Sequence, residues 1–131
     1  MENSVCLDTD ILIDFIRNNK ETVDWVKQHE ENYELATTTV NVFELFYGVY
    51  ESGFPKANMK DVEDLISRLK ILNLSLESTR EGGKQLARLK KEGNIVEFRD
   101  ILIGSIALTE RFMLKTNNKK HFLRIEGLKV I

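Results

Sequence analysis

One proline, one cysteine and one tryptophan occur among 131 residues. The lone cysteine excludes an internal disulfide framework, and with only two histidines beside it the ligands of a zinc finger are missing. Cys6 lies in the apolar triplet Val5-Cys6-Leu7 and is expected to pack as a small core residue. No apolar run reaches the roughly 18 residues of a membrane span. No basic segment followed by an apolar stretch marks a secretory signal, so the expected location is cytoplasmic. An excess of one charge is absent too, because 19 basic residues face 21 acidic ones for a net charge of −2. That excludes coating of nucleic acid by bulk charge, though not a site that gathers acids with bases around its rim.

What remains is an ordinary globular composition, 42% apolar and 31% charged. A chain of this size buries roughly two-thirds of its unfolded surface, so one domain over residues 1–131 is expected. Val5–Leu7 reads as a strand, followed by a helix through Ile11, Leu12, Phe15 and Ile16 with Thr9 or Asp10 as its N-cap. Asn18-Asn19 ends that helix, and a second amphipathic segment with Val23, Trp25 and Val26 runs to about Asn32. ELATTTV reads as a strand. The helix from Asn41 carries Val42, Phe43, Leu45, Phe46, Val49 and Tyr50 and is stopped by Gly53 and Pro55. Met59, Val62, Leu65, Ile66 and Leu69 predict another helix, and ILNLSL a strand. Ser78 and Glu81 have capping-box spacing for a helix through Leu86 and Leu89 that Gly93 ends, with Gly82-Gly83 as its weak point. ILIGSIAL, from Ile101, predicts a helix packed on most sides, RFMLKT a strand and LKVI another. Strands alternating with helices imply an α/β fold, a three-layer sandwich whose central parallel sheet is flanked by helices.

The stretch VCLDTDILID sets Asp8, Asp10 and Asp14 in an apolar run. In such folds ligands bind beyond the carboxyl ends of the strands. Asp8 follows the first strand, Glu44 lies in the first turn after the ATTT strand, Asp100 opens the ILIGSIAL helix, and Asn118 follows RFMLKT. Converging carboxylates repel unless a cation neutralises them, and hard oxygen ligands suit Mg²⁺ or Mn²⁺. Such a site can activate water for an in-line phosphoryl displacement. Each residue also has a plainer role: Asp8, Asp10 or Asp100 as helix-start acids, Glu44 paired with Asn41 in a near capping box, Asn118 as a turn residue. Asp14 is expected on the solvent side of its helix.

LDTDILID, TTVNVFELFYG, EFRDILIGSIAL and LKTNNKKHFLRIEGLKV, in that order and spacing, resemble the PIN-domain ribonucleases, and most of all the VapC-type toxins of toxin–antitoxin pairs. The resemblance covers essentially the whole chain. It implies Mg²⁺- or Mn²⁺-dependent RNA cleavage leaving 5′-phosphate ends, a homodimer, and inhibition by a VapB-type antitoxin. By motif match Asp8, Glu44 and Asp100 are the metal-binding acids, with Thr9 supporting the first. Thr116 and Asn118 match a T-x-N form of the last motif, where many relatives carry an aspartate, so Asn118 supplies an oxygen without a charge. His121 stands where some relatives have an acid and is read as a polar residue ahead of Phe122, as His29 is in its charged helix. Asp10 and Glu97 are open candidates for accepting a proton.

Lys115, Lys119, Lys120 and Arg124, with His121, form the expected basic rim for an RNA backbone, and Arg88, Lys90 and Lys91 end the helix before the Asp100 motif. Phe43, Phe46, Tyr47 and Tyr50 are expected to lie mostly in the core, any surplus forming a groove for an antitoxin segment. Ile101, Ile103, Ile106 and Leu108 fit either core or dimer interface. Two rival functions are consistent with parts of the sequence. One is a catalytically silent PIN-like module binding RNA or protein, suggested by Asn118. The other is a haloacid-dehalogenase-type phosphohydrolase with Asp8 as nucleophile and Asp10 as acid, which leaves EFRD unexplained.

Overall fold

Strand β1 (Ser4–Leu7) is the pivot of the structure. A computed structural model, describing residues 3–51 and 56–131, sets it between β2 (Glu34–Thr38) and β4 (Met113–Lys115), with β3 (Lys70–Leu72) outside β2. All pairings are parallel, and Cys6 stands level with Ala36 on one side and Leu114 on the other. Parallel neighbours require long crossovers, which helices supply. The first is α1 (Thr9–Ile16) with α2 (Lys20–His29), the second α3 (Thr39–Glu51) with α4 (Lys56–Ser67). The third is α5 (Leu76–Lys91) with α6 (Phe98–Thr109), and the short α7 (Lys119–Phe122) follows β4.

Alternation along the strands sorts the core into two halves. Val5, Leu7 and Met113 pack with Ile11, Leu12, Leu45, Val49, Val62 and Leu65 of α1, α3 and α4. Cys6, Ala36 and Leu114 face the opposite way, onto Leu89 of α5 and Ile101, Ile103 and Ile106 of α6. The expected α/β sandwich with a central parallel sheet is therefore the observed one. The buried α6 isoleucines belong to the core; Leu108 is only partly buried.

Several boundaries differ from the sequence expectation, each for a local reason. Of the caps the sequence allowed for α1, Asp8 rather than Thr9 or Asp10 is the N-cap, its carboxylate accepting from the Thr9 N–H at 2.8 Å. Helix α2 stops at His29 rather than near Asn32. Helix α3 begins directly after β2 at Thr39, so Glu44 lies in the second turn rather than the first. ILNLSL is split: β3 ends at Leu72, and Ser75 caps α5 through a reciprocal box with Ser78, in place of the Ser78–Glu81 pair. The two small side chains close that box at 2.7 and 3.1 Å, a geometry the usual Glu/Gln pattern does not cover. LKVI forms only a bridge from Val130 to Leu114 instead of a strand. The stop at Gly53 and Pro55 falls outside the described residues.

Gly82 and Gly83 do not break α5. Gly82 is where α5 meets α6, and a Cβ there would stand 3.3 Å from Ser105 Oγ and 3.4 Å from Ile101 Cγ2. Gly93, at φ +76°, ends the helix as expected. The α3 aromatics depart furthest from expectation: Phe43, Tyr47 and Tyr50 are 58–77% exposed rather than core, and only Phe46 is partly buried.

Candidate active site

The chain runs outward from β1 to β2 and β3, then returns to place β4 on the other side of β1. That reversal opens a crevice at the carboxyl ends of β1 and β4, where Asp8 and Thr116 emerge. Asp8 is 1% exposed, so its charge has to be met by protein groups. Its Oδ2 accepts from the Thr116 hydroxyl at 2.7 Å. Its Oδ1 accepts from the Thr9 N–H, from Asn41 Nδ2 at 3.0 Å and from Arg99 Nη2 at 2.9 Å.

Glu44 reaches the same place from α3. The Thr9 hydroxyl donates to its Oε1 at 2.6 Å and Arg99 Nε to its Oε2 at 2.5 Å. Asp100, 5% exposed at the start of α6, accepts from Arg99 Nη1 at 2.7 Å through Oδ1. Its Oδ2 lies 3.3 Å from His121 Nδ1. Three acids from three distant segments thus meet around one guanidinium, leaving two negative charges in excess. Burial alone would lower the Arg99 pKa, but the Glu44 hydrogen bond, the Asp8 and Glu44 charges and the Asp100 hydrogen bond outweigh it and hold Arg99 charged.

Of the site residues read from sequence, Asp8, Glu44, Asp100, Thr9 and Thr116 come together. Asn118 is placed differently: its backbone N–H donates to Thr116 Oγ1 at 3.0 Å, while the side chain sits on an exposed residue and forms no cap bond to α7. His121, expected to be a bystander, approaches Asp100, whereas His29 stacks on Trp25 far from the acids in sequence and bonding. Asp10 receives the Asn117 N–H at 3.0 Å on Oδ2, and its Oδ1 is buried without a hydrogen-bond partner. Burial first and the Asp8 charge second raise its pKa, with Asp14 adding to them, against the lowering effect of the Asn117 and Ile11 N–H groups. Asp14 is partly buried and accepts from Asn117 Nδ2 at 3.2 Å, so it is not simply on the solvent side.

The basic residues expected at the rim differ in how far they are engaged by protein groups. Lys115 lies 4.7 Å from the centroid of the Trp25 ring, and burial together with the Lys119 charge lowers its pKa. Arg124 donates to the Ile95 carbonyl at 2.7 Å, and Arg88 to the Arg124 carbonyl and to Glu92. Lys119 and Lys120 are exposed.

Sequence reasoning misses two residues of this constellation. Asn41 is fully buried, and its spacing suggests only a capping role; it joins Asp8, Thr9 and Thr38. Arg99 stands next to Asp100 and carries no motif weight, yet a lone arginine inside EFRD is the available signal. Among the described residues no group of three acids, histidines or cysteines stands in metal-holding arrangement, the guanidinium lying between the carboxylates. The donor set itself, all hard oxygens with uncompensated negative charge, fits Mg²⁺ or Mn²⁺. A phosphohydrolase nucleophile does not fit, since hydrogen bonds engage both Asp8 oxygens and leave the carboxylate almost no exposure for in-line attack.

The sequence model of the PIN domain matches residues 5–128. Ribonuclease VapC2 of Haemophilus influenzae is 31% identical over 124 residues, spanning 94% of this chain and 92% of that protein. The chain belongs to the PIN-domain family, among its VapC ribonucleases. The tRNA(fMet)-specific endonuclease VapC of Salmonella typhimurium is 30% identical over 129 residues, spanning 95% of this PIN-domain chain and 93% of that one. The crystal structure of VapBC2 from Rickettsia felis, bound to a DNA fragment from its promoter, superposes with a TM-score of 0.90 at 29% identity, covering 98% and 97% of the two chains.

Proposed function

We propose that this VapC-family ribonuclease is a Mg²⁺- or Mn²⁺-dependent endoribonuclease toxin held inactive by a VapB-type antitoxin. The observation carrying the reading is the meeting of Asp8, Glu44 and Asp100 around a single cationic group at the β1–β4 crevice. Asp8, Glu44 and Asp100 would hold the metal, which supplies a water of lowered pKa and charge stabilisation at the scissile phosphate. Thr116, Asn41 and the Thr9 N–H orient Asp8, and the Thr9 hydroxyl orients Glu44. His121 lies beside Asp100, its Nδ1 3.3 Å from Asp100 Oδ2, where a ring nitrogen could also contact a phosphate oxygen. Lys119 and Lys120 offer the backbone its remaining attraction.

The tRNA(fMet) specificity named for the Salmonella relative makes initiator tRNA the first substrate to try. The exposed α3 face of Phe43, Tyr47 and Tyr50 suits an amphipathic antitoxin segment, and the apolar groove of Ile13, Ile16, Leu45 and Val62 lies beside Glu44. A homodimer and a cytoplasmic location go with the same reading; among the described residues no helix is long and apolar enough to cross a membrane. The silent-module reading is opposed by the assembled acids. Metal-stripped protein, given initiator tRNA or a mixed RNA pool with and without Mg²⁺ or Mn²⁺, should cleave only with metal and leave 5′-phosphate ends. Asp8→Asn should abolish cleavage. Folded, antitoxin-free protein inert under every condition would overturn the enzyme reading in favour of the silent module.

A further inference from the structure

Arg99 meets each carboxylate with a different nitrogen: Nε on Glu44 Oε2, Nη1 on Asp100 Oδ1 and Nη2 on Asp8 Oδ1. The other oxygen of each acid is turned to a neighbour, Thr9 for Glu44, Thr116 for Asp8 and the His121 ring for Asp100. The inward oxygens that a cation would need are therefore the ones the guanidinium holds. A metal bound between these acids and Arg99 in its present rotamer exclude one another. The arginine has a way out, because its side chain is 27% exposed and it occupies the second position of α6, at the rim of the crevice.

We propose that Arg99 is the site's internal counter-cation and exchanges with the divalent metal. In the metal-free protein it holds the three acids together against their mutual repulsion; on metal binding it leaves all three. Released, its planar fork stands at the mouth with the geometry that suits a phosphate. Metal binding is then an exchange of cations, weaker than the carboxylates alone would give. This inference rests on the metal-dependent reading above.

Two measurements test it. In the ¹⁵N-labelled wild-type protein the Arg99 Nε–H, bonded to Glu44, should give a shifted and slowly exchanging signal that disappears on Mg²⁺ titration. Calorimetric titration with Mn²⁺ should show Arg99→Met binding about ten- to a hundred-fold tighter than wild type, the equivalent of about one charge-assisted hydrogen bond, because the released guanidinium regains water in place of the three carboxylates. Arg99→Lys, which keeps a charge but loses the fork, should fall between them, and it serves as the comparison if Arg99→Met does not fold. Wild type whose Nε–H signal is unchanged at saturating Mg²⁺, or variants that bind Mn²⁺ no tighter, would overturn the exchange while leaving the metal reading intact. Failure of wild type and variants alike to bind Mn²⁺ would remove both.

Discussion

Asn41 offers the sharpest test of how Asp8 is kept charged in the interior. Its amide is fully buried and makes four contacts: Nδ2 donates to Asp8 Oδ1 at 3.0 Å and Thr9 Oγ1 at 2.8 Å, while Oδ1 accepts from the Thr38 hydroxyl at 2.6 Å and the Thr38 N–H at 3.3 Å. A carboxylate only accepts, so the amide's nitrogen has to face Asp8. Asn41→Ala removes a charge-assisted bond of about 1.5–3 kcal/mol and strands a buried Thr38 hydroxyl at about 1–3 kcal/mol. The expected loss is about 3–5 kcal/mol, a large part of the roughly 5–15 kcal/mol typical of a domain. In urea with EDTA at pH 7 the midpoint should fall by about 2 M, given a slope near 2 kcal/mol per M. Asn41→Asp keeps volume and the Thr38 bonds but turns the donor facing Asp8 into a like charge. The added pair binds protons more tightly folded than unfolded, so its penalty is full at neutral pH and fades as pH falls. If Asn41→Asp melts like wild type at pH 7 in EDTA, the Asn41 amide is not what sustains the Asp8 charge.

Three further outcomes follow from single residues. Cys6 is fully buried, and burial first and the Asp8 charge second push its thiol well above the usual range, so a thiol-labelling reagent should react only on unfolding; prompt labelling of native protein would contradict the β1 packing. The raised pKa of Asp10 means that its native form binds protons more tightly than its unfolded form, so its contribution to stability declines as pH rises from the ordinary carboxylate value through the native one. Metal-free Asp10→Asn, which keeps an oxygen for the Asn117 N–H, should gain on wild type as pH rises above the ordinary carboxylate value in paired thermal melts, and a pH-independent difference would count against that burial. A Cβ on Gly104 would collide with Ile125 Cδ1 and lie 3.4 Å from Leu128 Cδ2, so Gly104→Ala should cost about 1–3 kcal/mol in urea unfolding, with a neutral result implying that α6 packs loosely against Ile125.

The fold was legible because periodicity carries it. Val5 and Leu7 against Cys6, and the unbroken run of ILIGSIAL, report a strand buried on both faces and a helix buried nearly all round. What escaped were features set by few atoms. Ser75 and Ser78 close a capping box with no long side chain to announce it, and Gly82 is spent on a helix crossing that only α6 explains. The aromatics of α3 show the limit of reading hydrophobicity as burial. Phe43, Tyr47 and Tyr50 fall on the outward side of a helix whose inward side is Leu45 and Val49.

The acids were legible for a different reason, namely that each lies directly after a strand or within the first two turns of a helix at the same end of the sheet. Their neutralisation was not, because it depends on how near the segments come. Arg99 is one residue from Asp100 in the chain, but 55 from Glu44 and 91 from Asp8, and only the return of β4 to the flank of β1 places α6 over both. The same geometry explains Asn41. A residue three positions ahead of Glu44 looks like a helix cap, until the register of β2 beside β1 sets α3 so close that its amide meets Asp8 instead. Spacing along the chain thus identifies the groups that carry charge, whereas the groups that compensate it come from whatever the sheet order brings alongside. For that reason Asn41 and Arg99, rather than the acids, are the positions where substitution tests the architecture of the site.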